Sequence, residues 1–162
     1  MDVTLEKRLA RLEQRLAELE DTEAVRKLLA AYSKAVDARD AGALSPLLAR
    51  DVRVVVIPWE VDVRGHRQVM DFFVAYFKSD WKEPRHHYAN EIIERAGDEY
   101  TAFSYFHETL ARGDQSVMGW GTWKDRFVFE EGRWKFAERT IRIMALTPVD
   151  KGWAGPHKIM DL

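Results

Sequence analysis

Two groups of titratable side chains have the types and spacing of an acid–base site. Tyr32 and Asp37 stand five residues apart, about 140° around a helix, so they flank a groove rather than share a stripe. Asp37 follows Ala35-Val36 on the side of its turn that the apolar pattern buries. An acid there is either an ordinary polar residue at a helix end or the partner of a base. The run Arg85-His86-His87-Tyr88-Ala89-Asn90 supplies candidates for that base. Side chains alternate across a strand, so one of His86 and His87 looks inward and the other lies on the surface. An inward imidazole beside an aspartate has what a general base needs. Its pKa lies near working pH, and the carboxylate orients the ring and stabilises its cation.

A third histidine, His107, shares a strand face with Phe103, Tyr105 and Thr109 in the segment Phe103-Ser104-Tyr105-Phe106-His107-Glu108. That aromatic face with a titratable group in it reads either as pocket lining or as a satisfied core histidine. Later, Glu138, Arg139, Thr140 and Arg142 follow Trp134 and Phe136. An inward arginine orients a carboxylate, phenolate or carbonyl oxygen, whereas cross-strand ion pairs on a solvated face are the commoner outcome. No His-x-Glu, His-Glu-x-x-His or facial-triad spacing is present, and His86 and His87 diverge on a strand, so no metal is expected. Phosphate-binding glycine loops and a Gly-x-Ser-x-Gly elbow are also missing, which sets aside nucleotide enzymes and serine hydrolases.

The elements that must position these groups follow from periodicity. Leucines at 5, 9, 12, 16 and 19 make a strict 4-3-4-3 seam, the apolar edge of an amphipathic helix over residues 1–20. It either lies on its own domain or meets another subunit. The register breaks around Glu20-Asp21-Thr22-Glu23 and restarts at Val25, Leu28, Leu29, Tyr32, Ala35 and Val36, which predicts a second helix capped by Asp21 or Thr22 and ended by Asp40-Ala41-Gly42. A short helix over 43–48 and a strand from Val52 to Ile57, stopped by Pro58, come next. Gly65 marks a turn, and a third helix runs from about Gln68 to Phe77. Beyond Pro84 four long strands are expected, 86–95, 100–112, 117–130 and 134–146, punctuated by Gly97-Asp98, Gly113-Asp114 and Glu131-Gly132. Helices first and an antiparallel meander after them argue for an α+β domain over 21–146, with helices on one face of a curved sheet. Residues 147–162, with Pro148, Gly152, Gly155 and Pro156, read as a C-terminal arm that Trp153 and Met160 pack against something.

Bulk composition narrows the classes. The 162 residues suffice for one domain with a substantial core. A net charge of −2 with both signs scattered leaves no basic field for nucleic acid. No apolar run is long enough to span a bilayer, and residues 1–8 lack the apolar core of a signal peptide, so a cytoplasmic protein is expected. Absent cysteine removes disulfides and thiolate chemistry. Six Trp, eight Phe and five Tyr are more rings than a small core needs, which points to a lined cavity or to dense aromatic packing.

The stretch Ala31-Tyr32-Ser33-Lys34-Ala35-Val36-Asp37-Ala38-Arg39-Asp40, followed by Leu44 and Leu47-Leu48-Ala49-Arg50-Asp51-Val52, resembles the opening of SnoaL-like proteins of the nuclear-transport-factor-2-like superfamily. The resemblance runs on through Gly65, the 85–90 run, Gly97-Asp98, Trp123-Lys124-Asp125-Arg126-Phe127 and Gly132-Arg133-Trp134-Lys135-Phe136-Ala137-Glu138-Arg139. It implies a cone of curved antiparallel sheet closed by about three helices around a deep pocket. Similar proteins include scytalone dehydratase, bile-acid 7α-dehydratase and hexachlorocyclohexane dehydrochlorinase, cofactor-free lyases in which an aspartate-oriented histidine removes a proton. By that resemblance Asp37, in its Val-Asp-x-Arg stretch, and His86, four residues before Asn90, are the dyad, and Tyr32 matches the bile-acid enzyme's tyrosine. His107 is similar to a second pocket histidine of scytalone dehydratase, although the bile-acid enzyme has an acid in that region. Arg139 or Arg142 corresponds to a pocket arginine.

The expectation is therefore a metal-independent, cofactor-independent lyase acting on an apolar, aromatic or polycyclic hydroxylated small molecule, by dehydration or by retro-aldol-type C–C cleavage. Its catalytic residues are His86, Asp37 and Tyr32, and its substrate-binding residues are His107, Tyr105, His87, Phe103 and Arg142. An isomerase or cyclase in the same pocket and a non-catalytic binding module are the alternatives. A homo-oligomer, dimer or trimer, is expected, with neither nucleic acid nor membrane as a partner.

Overall fold

The computed structural model describes residues 3–155 and 158–161; Met1, Asp2 and Pro156, which the sequence reading touches, lie outside the described residues. Helix α1 spans Val3–Asp37 without interruption, so the expected division into two helices is corrected. The polar stretch 20–23 contains no glycine or proline to break a helix. Its side chains find partners instead: the Thr22 hydroxyl donates to the Glu18 carbonyl at 2.7 Å, and Trp134 Nε1 donates to Asp21 at 2.8 Å. The lost apolar register marks a change of neighbours. Beyond it Val25, Leu28, Leu29, Tyr32 and Val36 are buried against the body.

The end of α1 is locked. Asp40 N–H bonds the Ala35 carbonyl at 2.9 Å and Arg39 N–H bonds that of Val36 at 3.0 Å, a Schellman closure with Arg39 left-handed at φ 54. Arg39 Nη1 then donates to the Phe77 carbonyl at 2.8 Å. Asp40 caps α2 (Ala41–Leu44) through Ala43 N–H, and a 3-10 turn at Ser45–Leu47 leads into β1 (Leu48–Ile57). The sequence reading did not anticipate β2 (Val61–Arg64), which hairpins back on β1 before α3 (His66–Phe77).

The four long strands fall where the turn residues place them: β3 (Trp81–Ala96), β4 (Glu99–Arg112), β5 (Gln115–Glu130) and β6 (Arg133–Pro148). They form one curved, unclosed six-stranded sheet in the order β2-β1-β6-β5-β4-β3. The α+β class stands, but the sheet is mixed, because β1 runs parallel to β6. Alternation within a strand carries no information about the direction of its neighbour. Pro84 lies inside β3, where it is tolerated because β3 is an edge strand. At the far end Ile159 bridges to Leu146, and the Met160 carbonyl accepts from Trp59 Nε1 at 3.0 Å, so the arm folds back on the sheet.

Between helix and sheet the rings of Tyr32, Phe73, Trp123, Phe127 and Phe136 make the core. A charge sits among them. Arg139, 1 % exposed, pairs with Asp125 through two bonds of 2.8 Å, and its guanidinium carbon lies 3.9 Å from the Tyr32 ring centre and 4.1 Å from that of Trp123. Arg139 and Asp125 face each other across β6 and β5. This is the cross-strand pairing anticipated for that strand, but buried rather than solvated.

Removing one member of such a pair strands the other charge. Asp125→Ala is expected to destabilise the fold by about 3–5 kcal/mol, read as a lower urea midpoint. Replacing both residues with apolar ones, Asp125→Leu with Arg139→Met, is expected to recover most of that loss.

Candidate active site

The phase of β3 decides which histidine enters the molecule. The ladder with β4 slips between Lys82 and Arg85, where Glu83 takes φ 51. This bulge inserts one residue into the alternation, so that Trp81, Pro84, His86 and Tyr88 share the inner side while Arg85 and His87 point outward. Asn90, at φ 56, marks the second slip. Asn is among the residues that tolerate this left-handed backbone.

His86 lies opposite Glu108 in the β3–β4 ladder. Because β3 is an edge, the His86 amide is free to leave the sheet, and it donates to both Asp37 oxygens at 3.2 and 3.1 Å. The ring repeats the contact, with Nδ1 2.6 Å from Asp37 Oδ1. On its other side Nε2 lies 3.0 Å from Glu108 Oε2. Burial alone pushes the His86 imidazole down. Asp37 and Glu108 more than reverse this, so its pKa is raised to about 9, and the ring is a cation at neutral pH, loaded with a proton on each nitrogen.

Glu108 owes its position to Gly119, its neighbour on β5. A Cβ at Gly119 would stand 2.9 Å from Glu108 Oε1 and 2.8 Å from Leu146 Cδ1. The missing side chain is the space that the carboxylate occupies.

His86 and Glu108 border an apolar cavity of about 70 Å³, walled by rings from α1, α3 and the sheet, among them Tyr32, Phe73, Tyr76, Trp81 and Trp123. Burial holds the Tyr32 phenol above its ordinary pKa against the nearby Arg139 cation, so it stays protonated. Trp81 Nε1 and Arg139 Nη1 are buried without a hydrogen-bond partner. The site thus combines a proton-loaded imidazolium, two carboxylates and a phenol beside an apolar wall, an arrangement suited to moving protons on a small apolar molecule.

Asp37 and His86 meet at 2.6 Å, and Tyr32 shares the cavity wall with His86. The expected substrate-binding residues are not at the cavity. His87 and His107 face each other on the outer side of the sheet, Tyr105 is 51 % exposed, Phe103 packs edge-on against Tyr105 on that same side, and Arg142 is exposed. Both faces of β4 are aromatic, so period-two alternation finds the two sets without saying which is inside. The inner set is Ser104, Phe106, Glu108 and Leu110. Glu108 was missed, yet it left a signal: the one charged residue on the strand face that runs from Tyr100 through Ala102, Ser104 and Phe106 to Leu110. Trp81 was missed because it precedes the proline taken as the start of the strand.

A family model of the SnoaL-like domain matches residues 17–140, more than half of the chain. No curated protein matches the sequence. Among solved structures, the hexachlorocyclohexane dehydrochlorinase LinA-type3 from Novosphingobium barchaimii superposes with a TM-score of 0.75 at 21% identity, over 90% of this chain and 99% of that one. A Novosphingobium aromaticivorans protein provisionally described as a scytalone dehydratase gives 0.73 at 20% identity, over 85% and 91%. An NTF2-like protein with a cystatin-like fold from the same species gives 0.65 at 23%, over 84% and 90%. These identities speak for the fold. Together with the matched domain they place this chain in the SnoaL-like domain family.

Proposed function

We propose that this protein is a cofactor-independent lyase that eliminates water from a hydroxylated, apolar, single-ring compound. The observation that carries the reading is the His86 ring held between Asp37 at 2.6 Å and Glu108 at 3.0 Å on the wall of an apolar cavity. Family membership supports small-molecule lyase or isomerase chemistry in general, and the neighbours' dehydratase and dehydrochlorinase descriptions are consistent with elimination. The cavity volume, about 70 Å³, is well below the roughly 300–1,000 Å³ typical of pockets for drug-sized ligands. That size supports a single-ring substrate over diaryl and steroid-sized ones.

In this mechanism the Glu108 carboxylate takes the proton from the carbon next to the carbinol carbon, and the C–H electron pair becomes the new C=C bond. The C–O bond breaks, and His86 Nε2–H gives its proton to the departing hydroxyl, which leaves as water. Glu108 then carries one proton and His86 lacks one. Transfer across their 3.0 Å contact restores the starting state without an external acid or base. Asp37 holds Nδ1–H throughout, keeping the ring oriented and its cation favoured. Tyr32 hydrogen-bonds a substrate oxygen.

Incubating the protein with hydroxylated single-ring, diaryl and steroid-like compounds without added cofactor, followed by mass spectrometry, tests the reaction. The expected product has lost one water from a single-ring compound. His86→Gln and Glu108→Gln are each expected to lower kcat by about 10²–10⁴-fold, while His87→Gln leaves it unchanged. A product of unchanged mass would make the protein an isomerase or cyclase, and released formaldehyde a C–C lyase. Ligand binding with no turnover of any compound would leave a binding module.

The acid role of His86 fixes the sign of the pH dependence. Its active form is the cation, lost as pH rises through about 9, so kcat/KM is expected to fall about tenfold per pH unit above that value. A histidine acting as resting base would instead give a kcat/KM that rises with pH up to about 9 and is flat above it. Gly119→Ala crowds Glu108 Oε1 together with Leu146 and the Ala145 carbonyl, and is expected to lower kcat by up to about 10²-fold and also to lower the unfolding midpoint. Unaltered kcat would show that Glu108 does not need this position.

A further inference from the structure

Residues 4–17 of α1 are exposed on every side. The helix first meets the body at Glu18, whose carbonyl accepts from the Tyr100 hydroxyl at 3.4 Å and whose carboxylate lies 3.6 Å from Arg95. A helix that leaves the body for about four turns stands roughly 20 Å clear of it, and a free helix of that length is marginal in water. This one also carries a row of five leucines, Leu5, Leu9, Leu12, Leu16 and Leu19, each 54–66 % exposed. Of the two alternatives for this segment, it does not lie on its own domain.

The leucines alternate at the a and d positions of a heptad, with Leu5, Leu12 and Leu19 at d and Leu9 and Leu16 at a. The residues flanking the seam are sorted by sign. Every e position is Glu (Glu6, Glu13, Glu20), and the g positions beside the seam are Arg8 and Arg15. In a parallel, in-register pair each g residue meets the e residue five positions later on the other helix, so Arg8 meets Glu13 of the partner subunit and Arg15 meets Glu20 of the partner subunit. An antiparallel pair instead sets g against g and e against e, Arg against Arg and Glu against Glu. A like-charged pairing of that kind is selected against.

We propose that the N-terminal half of α1 forms a parallel two-stranded coiled coil with a second copy of this chain. Leu at every d position meets the d half of the two-stranded pattern, while the a positions, Leu9 and Leu16, are not β-branched. The charge sorting names the partner, because the e row of this helix complements the g row of the same helix and no other sequence is needed to satisfy it. The seam ends where Glu23 occupies the next a position and Val25 turns the apolar stripe toward the sheet. The same helix therefore serves the partner with its first half and the fold with its second.

The chain has no cysteine, so a single introduced thiol reports on one contact. In the full-length protein under mild oxidation, Leu5→Cys and Leu19→Cys are each expected to form a disulfide dimer on their own, whereas Gln14→Cys, on the opposite face, is not. The charge rule is tested by Arg8→Glu with Arg15→Glu in one chain and Glu13→Arg with Glu20→Arg in another, each carrying Leu5→Cys. Each alone is expected to lose at least about tenfold in cross-linking rate, and an equimolar mixture to regain it. An antiparallel pair sets a positions against d positions, so cross-linking of Leu5→Cys only when mixed with Leu16→Cys would establish that arrangement and overturn the proposal. So would cross-linking no faster than that of Gln14→Cys.

Discussion

The carboxylate of Asp37 joins the last turn of α1 to the free edge of β3, and the geometry of the site hangs on that joint. A strand at the edge of a sheet keeps a row of unpaired amides. Here one of them, His86 N–H, is satisfied by a helix side chain rather than by water or another strand. The same carboxylate takes Nδ1 of the ring, so backbone and side chain of His86 are held by one group. Asp37 is the last residue of its helix, where the macrodipole disfavours negative charge and favours positive. The aspartate is in the wrong place for helix stability and in the right place to hold an imidazolium. A local rule broken with a specific compensation is typical of functional sites.

The rest of the fold keeps that joint from relaxing. The Schellman closure and the Arg39 bond to the Phe77 carbonyl fix where α1 stops, which fixes the height of Asp37 above the sheet. On the sheet side the bulge at Glu83 fixes the phase of β3, and Gly119 clears the room that Glu108 needs. Beneath them the Arg139–Asp125 pair, roofed by Tyr32 and Trp123, fills the core with a charge that apolar packing does not require. Its field bears on the Tyr32 phenol, which ties the core to the cavity wall.

Helix α1 carries two apolar stripes with different audiences. From Val25 onward the stripe is wide and fits a curved sheet. Before Glu20 it is a narrow a/d seam flanked by charges sorted by sign, the form suited to another helix. One continuous backbone couples the two, so whatever the first half binds is mechanically continuous with the helix end that presents Asp37.

Much of this was legible in the residues. Periodicity and turn chemistry gave the helices near residues 25–37 and 66–77 and the four long strands, because those signals depend on each segment's own pattern of burial. The pairing of Asp37 with His86 was legible only through the resemblance to SnoaL-like proteins, since by position alone Asp37 reads as well as a polar helix end and strand alternation leaves His86 and His87 open. What only the tertiary structure decided was everything that depends on a neighbour. The break at 20–23 was no break, because Trp134 and the Glu18 carbonyl satisfy its polar groups. The parallel seating of β1 beside β6 is a property of two strands and is written in neither. Phe103, Tyr105 and His107 went outside and Glu108 inside because alternation has a period of two and no sign; packing supplies the sign. Sequence fixes what a segment can do by itself, whereas direction, phase and partnership arise only when segments meet, since each is a relation between groups far apart along the chain.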